Sequence, residues 1–389
     1  MQMKKLNLKG KYNSSTILIG RGILDQAGEL CSAELSGRKA PSAICVITDS
    51  NVAELYLKAI LEQFAFFGVP VHSHVIPAGE EYKNLVTVSR IYEDLSANRF
   101  GRDDMIVALG GGVTGDIAGF TAATYMRGIR HLVQIPTTLL AQVDSSVGGK
   151  TGVDLPLGKN LVGAFRQPDV VLIDPAVLDS LPKQIFTGGM AEVIKYGCIW
   201  DEEILALAET KDSVEQTSSD AETKEHVSGS GDAVIASVDS EQKEKLESLI
   251  ERCVAIKIRV VEEDETEEGL RKILNFGHTI GHGLEKLADF TELSHGEAVA
   301  MGMLAAAQMG EAAGITEKGC HDRLKALLRS YGLPTELPYP VADIYQALMA
   351  DKKIQGGSIH FIFLESFGKA DIRKLPVEEL RQMMKVLGE

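Results

Sequence analysis

Three histidines lie close together in the second half of the chain, at His278, His282 and His295. His278 and His282 are separated by about one helical turn, so a helix would place them on one face. A catalytic Zn²⁺ site needs about three nitrogen or oxygen ligands and one open position. Glu192, in an otherwise apolar helical stretch, is a candidate for the carboxylate that completes the set. The cluster predicts a divalent-metal site; the alternative is a group of buried histidines that are satisfied by hydrogen bonds.

A glycine-rich run, Gly110–Gly115, fits the pattern G-x-G-x-x-G and follows a predicted strand. Glycines at such a turn let backbone N–H groups approach a pyrophosphate at a helix N-terminus. A Rossmann site also needs an acidic residue for the ribose, and the next predicted strand ends without one. Asp49, at the end of an earlier strand, is a candidate for that role. The run predicts a dinucleotide site, the alternative being a tight strand-to-helix turn.

The segment Asp144–Thr151 nearly matches the P-loop pattern G-x-x-x-x-G-K-[ST]. Asp144 stands at the position of the first glycine, where a carboxylate would repel the phosphates that the loop must hold. The sequence therefore argues against ATP or GTP hydrolysis. It leaves Lys150 as a contact for an anion and Asp144 as a polar or acid/base group.

Short β-branched runs alternate with helical stretches in the first half of the chain. The predicted strands are residues 43–48, 71–76, 105–109, 131–135 and 170–173. Strands that alternate with helices predict a parallel sheet covered on both faces. Long helical stretches follow at 188–207, 243–263, 270–287, 296–313 and 318–331, with one late strand at 360–364. We therefore expect an α/β domain over residues 1–180 and a mainly α-helical domain over residues 181–389.

One polar segment, Thr210–Glu241, interrupts the helical half of the chain. It is rich in Ser, Thr, Asp, Glu and Lys, and it contains the linker-like run Ser228–Gly231. Such a composition buries little apolar surface. We therefore expect a surface loop or flexible excursion rather than a third domain.

The composition limits the classes of partner. The 389 residues carry a net charge of −15, which argues against nucleic acid or an anionic membrane as a partner. No apolar run approaches the length of a membrane span, and the first residues do not resemble a signal peptide. Five dispersed cysteines predict buried, reduced thiols, so we expect a cytoplasmic enzyme.

Several basic residues stand in apolar or glycine-flanked settings within this acidic chain. As a set they suit a small substrate with two anionic groups, such as a phosphate and a carboxylate. They are Arg127, Lys150, Lys159, Lys195, Lys257, Arg271 and the pair Lys352-Lys353.

Together these segments resemble the 3-dehydroquinate synthases of the sugar phosphate cyclase group, and the resemblance extends from Lys11 to about Lys374. The number and order of the matching stretches make the probability of a chance match very small. The stretches are Pro77–Lys83, Gly110–Asp116, Tyr125–Gly128, Ile135–Thr151, Gly158–Asn160, Ala191–Lys195, Gly269–Arg271, Leu274–His282, His295–Glu297 and Asp351–Lys353.

The resemblance implies a specific reaction. Members of the family convert 3-deoxy-D-arabino-heptulosonate 7-phosphate, a small anionic sugar phosphate, into 3-dehydroquinate and inorganic phosphate in the shikimate pathway. NAD⁺ oxidises the C5 hydroxyl transiently, phosphate is eliminated, the hydride is returned, and an intramolecular aldol step closes the carbocycle. A divalent metal, Zn²⁺ or Co²⁺, serves as a Lewis acid. The resemblance also implies a homodimer, with NAD bound by the α/β domain and the metal and substrate bound by the helical domain.

The resemblance also assigns residues. The metal ligands would be Glu192, His278 and His295, which replaces the pairing of His278 with His282 that spacing alone suggests. His282 would contact substrate or transfer a proton. The other substrate residues would be Lys195, Lys257, Arg271, Asn275 and Lys353, with Lys150, Asn160 and the partner subunit's Arg127 around the phosphate. The NAD contacts would be Asp49, Glu80, Lys83, Gly112, Val113, Asp116, Thr137, Thr138, Asp144 and Lys159.

Three alternatives to this reaction remain open. The first is another sugar phosphate cyclase, of the 2-deoxy-scyllo-inosose or 2-epi-5-epi-valiolone synthase type, whose substrate lacks a carboxylate. The second is a metal-dependent polyol dehydrogenase, and the third is a non-catalytic NAD-binding protein. The presence of Lys257, Arg271 and Asn275 favours dehydroquinate synthesis. The segment Thr210–Glu241 is longer than the usual connection in the family and contains none of the matched residues.

Overall fold

The chain divides into two structural units. The computed structural model describes residues 3–11, 13–156, 158–209, 240–289, 292–349 and 357–388. Among these, the first unit comprises the residues up to Leu181 together with Lys257–Glu265. The second unit comprises the rest. Lys257–Glu265, which the sequence prediction placed in the second domain, thus belongs to the first unit.

The first unit is built on a seven-stranded sheet with the order β1-β2-β9-β6-β5-β3-β4. β1 pairs antiparallel with β2, and the other pairs are parallel. β7 and β8 form a separate antiparallel pair. The strands are β1 (Lys4–Lys9), β2 (Ser14–Ile19), β3 (Ile44–Asp49), β4 (Val71–Ile76), β5 (Met105–Gly110), β6 (His131–Pro136), β7 (Lys150–Leu155), β8 (Gly158–Phe165) and β9 (Val170–Ile173).

Helices cover both faces of this sheet, as the alternation of strands and helices predicts. They are α1 (Ala27–Glu34), α2 (Ser50–Val52), α3 (Lys58–Phe64), α4 (Leu85–Ala97) and α5 (Gly112–Thr124). Alternate residues of each strand point to opposite faces. Val46 and Val107 therefore join Phe64 of α3 in one buried cluster, and Ile47 and Ile106 join helices α4 and α5 in the other.

The second unit is mainly helical. Its helices are α6 (Lys183–Ile199), α7 (Glu202–Glu209), most of α8 (Ser240–Glu263), α9 (His278–Leu287), α10 (His295–Ala312), α11 (Cys320–Ser330), α12 (Val341–Met349) and α13 (Val377–Met383). β10 (Ser358–Ser366) and β11 (Lys369–Pro376) form an antiparallel pair.

Two of the predicted helices are interrupted in the structure. The stretch 188–207 breaks between α6 and α7, where the Asp201 carboxylate accepts a hydrogen bond from the backbone N–H of Glu203 and begins a new helix. The stretch 270–287 begins as a 3₁₀ helix, Leu270–Asn275, and breaks at Gly277. Gly277 has φ of +78°, a left-handed conformation that glycine adopts without strain.

The polar segment Thr210–Glu241 lies outside the described residues except for its last two residues, which begin α8 instead of a loop. The five cysteines are buried and none of them forms a disulfide, as predicted. No helix within the described residues is long and apolar enough to cross a bilayer.

Helices α6, α9 and α10 approach each other at glycines. A Cβ atom on Gly296 of α10 would lie 2.2 Å from the carbonyl oxygen of Gly188 in α6. A Cβ atom on Gly302 of α10 would lie 2.0 Å from the carbonyl oxygen of Gly277, directly before α9. Backbone-to-backbone contact therefore brings together the three helices that carry Glu192, His278 and His295.

We predict that Gly302→Ala lowers the free energy of unfolding by about 1–3 kcal/mol, because its methyl group overlaps backbone atoms that have no room to move. Gly188→Ala is the matched control: its Cβ would find nothing nearer than the Cα of Gly296 at 4.0 Å. Urea denaturation of the two variants measures the difference. Equal stability of Gly302→Ala and the wild type would contradict the close approach of α9 and α10.

Candidate active site

Glu192, His278 and His295 converge in the second unit. Oε1 of Glu192 lies 3.5 Å from Nε2 of His278 and 3.4 Å from Nε2 of His295. All three ligand atoms lie within 4.8 Å of one another. Metal–ligand bonds of about 2.0–2.1 Å at tetrahedral angles place neighbouring ligand atoms roughly 3.4 Å apart. The three side chains therefore fit a divalent cation, and His278 pairs with His295 rather than with His282.

The second nitrogen of each histidine ligand also faces an acceptor. Nδ1 of His278 lies 3.1 Å from the carbonyl oxygen of Phe276, and Nδ1 of His295 lies 3.4 Å from Oε1 of Glu285. Contacts of this kind fix the orientation of a ligating imidazole. In both residues they leave Nε2 directed at Glu192.

The two histidines differ in protonation. Burial lowers the pKa of His278 to about 4, which keeps the imidazole neutral, the form that binds metal. Burial also disfavours the charged form of His295, but hydrogen bonds to Glu192 and Glu285 outweigh it and raise the pKa above its ordinary value. A metal ion that binds His295 competes with this proton.

Cationic and amide side chains of the second unit lie on α6 and on the 3₁₀ helix that precedes α9. Lys195, one turn after Glu192 on α6, is almost fully buried and forms an ion pair with the Glu192 carboxylate. Arg271 is buried on the 3₁₀ helix that precedes α9. Asn275, at the end of that helix, donates a hydrogen bond to the Glu267 carboxylate. These groups can bind an anionic, hydroxyl-bearing ligand.

The predicted proton-transfer residue, His282, lies one turn after His278 on α9. The two rings meet edge to face with centroids 5.6 Å apart. The His282 side chain is 36% exposed, so it can exchange protons with solvent or substrate. Lys353 and its neighbour Lys352 lie outside the described residues.

The glycine-rich run occupies the switch point of the sheet. The chain leaves β3 toward β4 at one edge, whereas it leaves β5 toward β6 in the opposite direction. In open parallel sheets, ligands bind beyond the carboxyl ends of the strands at such a point. Asp49 ends β3 and Gly110 ends β5, and these strands are paired neighbours. The topology thus provides the acidic residue that the strand after the glycines lacks.

Packing in the loop requires its glycines. A Cβ on Gly110 would lie 2.6 Å from Oγ1 of Thr114, and one on Gly111 would lie 3.0 Å from Cγ2 of Thr138. Gly112 and Val113 form the first turn of α5, whose N–H groups have no acceptors within the helix. The loop and helix therefore form a cradle that suits a pyrophosphate.

The side chains around this cradle are already linked to each other. The Asp49 carboxylate accepts hydrogen bonds from the backbone N–H groups of Asn51 and Val52 and from the Thr114 hydroxyl. The backbone N–H of Thr137 donates to the carbonyl oxygen of Gly110. These contacts hold the ends of β3, β5 and β6 in one fixed arrangement.

A charge cluster around the buried Lys83 contains four of the predicted NAD residues. Nζ of Lys83 lies 2.8 Å from Oδ2 of Asp116 and 3.9 Å from Oε1 of Glu80. Lys159 lies 3.8 Å from the same Glu80 oxygen. Burial opposes the charge of Lys83, but Asp116 and Glu80 outweigh it and raise the pKa of Lys83.

Asn160, predicted to contact the substrate phosphate, lies in this same cluster. Its side-chain oxygen accepts a hydrogen bond of 2.6 Å from Lys83. Its backbone N–H donates to the carboxylate of Asp154, a residue that the sequence analysis did not select.

The segment that resembles a P-loop has a different geometry. A P-loop lysine begins a helix, but Lys150 begins the strand β7, and Gly148 and Gly149 both have positive φ. Asp144, in a π-helical turn, forms an ion pair with Lys257 of α8. The structure thus pairs a predicted NAD contact with a predicted substrate contact.

Arg127 lies far from the glycine-rich run of its own chain. It follows the C-terminal end of α5, whereas the glycines form the N-terminal end, and the helix spans roughly 18 Å. Arg127 is exposed and has φ of +65°, and Met126 before it has φ of +49°. Their strained backbone turns the two side chains toward the surface.

Sequence reasoning missed three acidic residues next to the predicted ones. They are Asp154, Glu267 and Glu285, the partners of Asn160, Asn275 and His295. Glu285 follows His278 by two helical turns, a spacing that places both on one face of α9. This spacing could have revealed Glu285 from the sequence, whereas no sequence pattern indicated Asp154 or Glu267.

We predict that His278→Ala and His295→Ala each weaken Zn²⁺ or Co²⁺ binding by at least about 100-fold, since each removes a direct ligand and outer contacts alone contribute 10- to 100-fold. Glu192→Gln should lose metal and turnover together. His282→Ala is the matched control and should keep one bound metal. Metal content after dialysis, measured by mass spectrometry, tests the set; metal lost from His282→Ala but kept by His295→Ala would overturn the ligand assignment.

Comparisons with known proteins agree on one family. A family model for the 3-dehydroquinate synthase N-terminal domain matches residues 73–188, and one for the C-terminal domain matches residues 189–354. The 3-dehydroquinate synthase of Clostridium kluyveri is 41% identical over 382 residues, which covers 97% of each chain.

Two solved structures are similar along nearly the whole length. One is 2-deoxy-scyllo-inosose synthase complexed with carbaglucose-6-phosphate, NAD⁺ and Co²⁺ (TM-score 0.81, 27% identity, 98% of this chain and 99% of that chain). The other is 2-epi-5-epi-valiolone synthase from Streptomyces hygroscopicus with NAD⁺ and Zn²⁺ bound (TM-score 0.78, 25% identity, 97% of both chains). The family models and the Clostridium relative decide between these groups: the chain belongs to the 3-dehydroquinate synthase family.

Proposed function

We propose that this protein converts 3-deoxy-D-arabino-heptulosonate 7-phosphate into 3-dehydroquinate and phosphate. The observation that carries the proposal is the convergence of Glu192, His278 and His295 in a unit that also buries Lys195 and Arg271. Such a set suits a substrate with both hydroxyl and anionic groups. In a member of this family, that substrate is the heptulosonate phosphate.

NAD and a divalent metal are the proposed cofactors, with Zn²⁺ or Co²⁺ as the metal. NAD accepts and returns a hydride, and the metal polarises an oxygen atom that it binds. Glu192, His278 and His295 would hold the metal, and the cradle at Gly110–Gly112 with Asp49 would hold NAD. The similar cyclase structures contain NAD⁺ with Co²⁺ or Zn²⁺, which supports both assignments.

The residues of the second unit have separate tasks in this reaction. Lys195 and Arg271 neutralise anionic groups of the substrate, and Asn275 orients a hydroxyl or carboxylate by hydrogen bonding. His282 is exposed enough to take up and release a proton at the substrate. Because the leaving phosphate can itself accept a proton, no strongly basic side chain is needed. The phosphate leaves by elimination, which breaks the carbon–oxygen bond of the phosphate ester, and the whole reaction has no net oxidation.

A sister cyclase or a polyol dehydrogenase is less well supported. The sister substrates carry a phosphate but lack a carboxylate, so they need fewer cationic side chains than the buried Lys195 and Arg271 offer. The chain is also 41% identical to a 3-dehydroquinate synthase but 27% identical to 2-deoxy-scyllo-inosose synthase. Buried cysteines outside disulfides suit action in the reducing cytoplasm.

We predict that the purified protein, supplied with NAD⁺ and Zn²⁺, releases phosphate and forms 3-dehydroquinate in equal amounts with no net NADH. A chelator should abolish turnover, because the metal supplies the Lewis acid. Glucose 6-phosphate and sedoheptulose 7-phosphate are the control substrates. Turnover of either control alone would assign the protein to a sister cyclase, and NADH accumulation without phosphate would indicate a dehydrogenase.

We also propose a homodimer in which Arg127 serves the site of the partner subunit. Arg127 follows the C-terminal end of α5, whereas the glycine-rich run of the same chain lies at the N-terminal end. Exposed apolar side chains surround the β7–β8 pair: Leu155, Leu161 and Phe165 on its strands, and Leu85 and Val86 at the start of α4. The Asn84–Asp154 bridge joins these two elements. A second copy of the chain would cover this surface.

Mixing two inactive variants tests this assembly. We predict that Arg127→Ala and Glu192→Gln are each inactive, but that their mixture after dissociation and reassociation recovers about one quarter of wild-type turnover, because half of the dimers are mixed and each has one complete site. An Arg127→Ala/Glu192→Gln double variant mixed with itself is the control. No recovery from mixed dimers would show that Arg127 acts within its own chain.

A further inference from the structure

Glu285 is a buried carboxylate that the proposed reaction does not use. It lies on α9 and its side chain is 1% exposed. Oε1 lies 3.4 Å from Nδ1 of His295, and Oε2 lies 4.0 Å from Nε2 of His282. A carboxylate at this depth is costly unless it faces donors or cations. The two histidines that it faces are possible donors of this kind.

The opposite nitrogen of His295 is the one that faces Glu192. Nε2 lies 3.4 Å from the Glu192 carboxylate, so the ring stands between two acids, one at each nitrogen. A metal-binding histidine commonly donates its second N–H to a carboxylate or carbonyl oxygen, which fixes the tautomer and the ring orientation. His278 has such a partner in the Phe276 carbonyl. Glu285 provides the equivalent contact for His295.

We propose that Glu285 is a positioning residue of the metal centre, holding His295 so that Nε2 points to the ion. The inference rests on the proposed metal site and adds a residue that touches neither metal nor substrate. The same carboxylate lies near His282 and so connects the metal ligand with the proposed proton-transfer residue.

Another role for Glu285 is as a ligand of a second ion. His282, Glu285 and His295 also offer ligand atoms within 4.8 Å of one another. That arrangement would require His295 to bind metal through both nitrogens, but a neutral imidazole has only one nitrogen without a proton. The geometry therefore favours one ion, with Glu285 outside its ligand shell.

Measurements of metal affinity distinguish the positioning role of Glu285 from a role as ligand of a second ion. We expect Glu285→Ala to weaken Co²⁺ and Zn²⁺ binding by about 10- to 100-fold, as for other outer contacts of a ligating histidine. Glu285→Gln keeps an acceptor oxygen and should recover part of the loss. Competition with a chromophoric chelator gives the dissociation constants, and the visible spectrum of bound Co²⁺ reports a change of ligand geometry.

Glu297→Gln is the matched control. Glu297 is a half-buried acid two residues after His295, and its carboxylate caps α10 by accepting hydrogen bonds from Ser294. If Glu285 only supported the local fold, loss of this cap would affect metal binding in a similar way. We expect Glu297→Gln to lower the thermal midpoint while metal affinity changes less than about twofold.

Each outcome decides the inference. Wild-type affinity in Glu285→Ala would overturn it, as would two ions per wild-type chain or no metal binding by the wild type. If Glu285→Ala fails to fold, Glu285→Gln with a native circular dichroism spectrum provides the comparison. Weakened binding in these variants supports the inference even if the wild type fails to convert the heptulosonate phosphate, so failure of the proposed reaction is recognised separately.

Discussion

The buried carboxylate of Glu192 is the constraint on which the second unit depends. A carboxylate without solvent is strongly unfavourable unless charges and hydrogen bonds compensate it. Lys195 on the same helix supplies one partner, and His278 and His295 on two other helices supply two more. Because imidazoles reach only a few ångströms, the backbones of α6, α9 and α10 must approach closely, and glycine is the residue that permits it. The close packing of α6, α9 and α10 is thus needed both to compensate the Glu192 charge and to assemble the site.

Similar pairings recur in the first unit, where Lys83 faces Asp116 and Lys257 faces Asp144. Buried ion pairs add little to stability compared with apolar residues of the same volume. Their presence beside the glycine-rich run is better explained by the need for charged groups in fixed positions. The parallel sheet supplies those positions, because the carboxyl ends of β3, β5 and β6 share one edge.

The sequence predicted five of the six strands that pair in parallel. Strands β3 to β6 and β9 appear as short β-branched runs, and the structure differs from their predicted limits by one residue or less. β1 was missed because it is polar on one side, and β2 because it begins with the polar residues Ser14–Thr16. β7 and β8 were missed because glycines dilute their pattern. The pairing of Lys257 with Asp144 joins residues far apart in sequence, so no local pattern could reveal it. His278 with His282 was the locally obvious pair, but the turn at Gly277 and the approach of α10 bring His295 to Glu192 instead.

Charge compensation also links the two kinds of ligand that we propose for the second unit. Glu192 is both the ion-pair partner of Lys195 and a member of the metal-binding set. A cation that binds Glu192 shares the charge of the carboxylate and so weakens its attraction for Lys195. Lys195 then has more of its charge available for an anion, and by linkage an anion on Lys195 favours the cation on Glu192. Without ligands, the buried charges of Glu192 and Lys195 stay paired with each other. A cation on Glu192 would make the positive charge of Lys195 available to an anion, even in a protein with a net charge of −15.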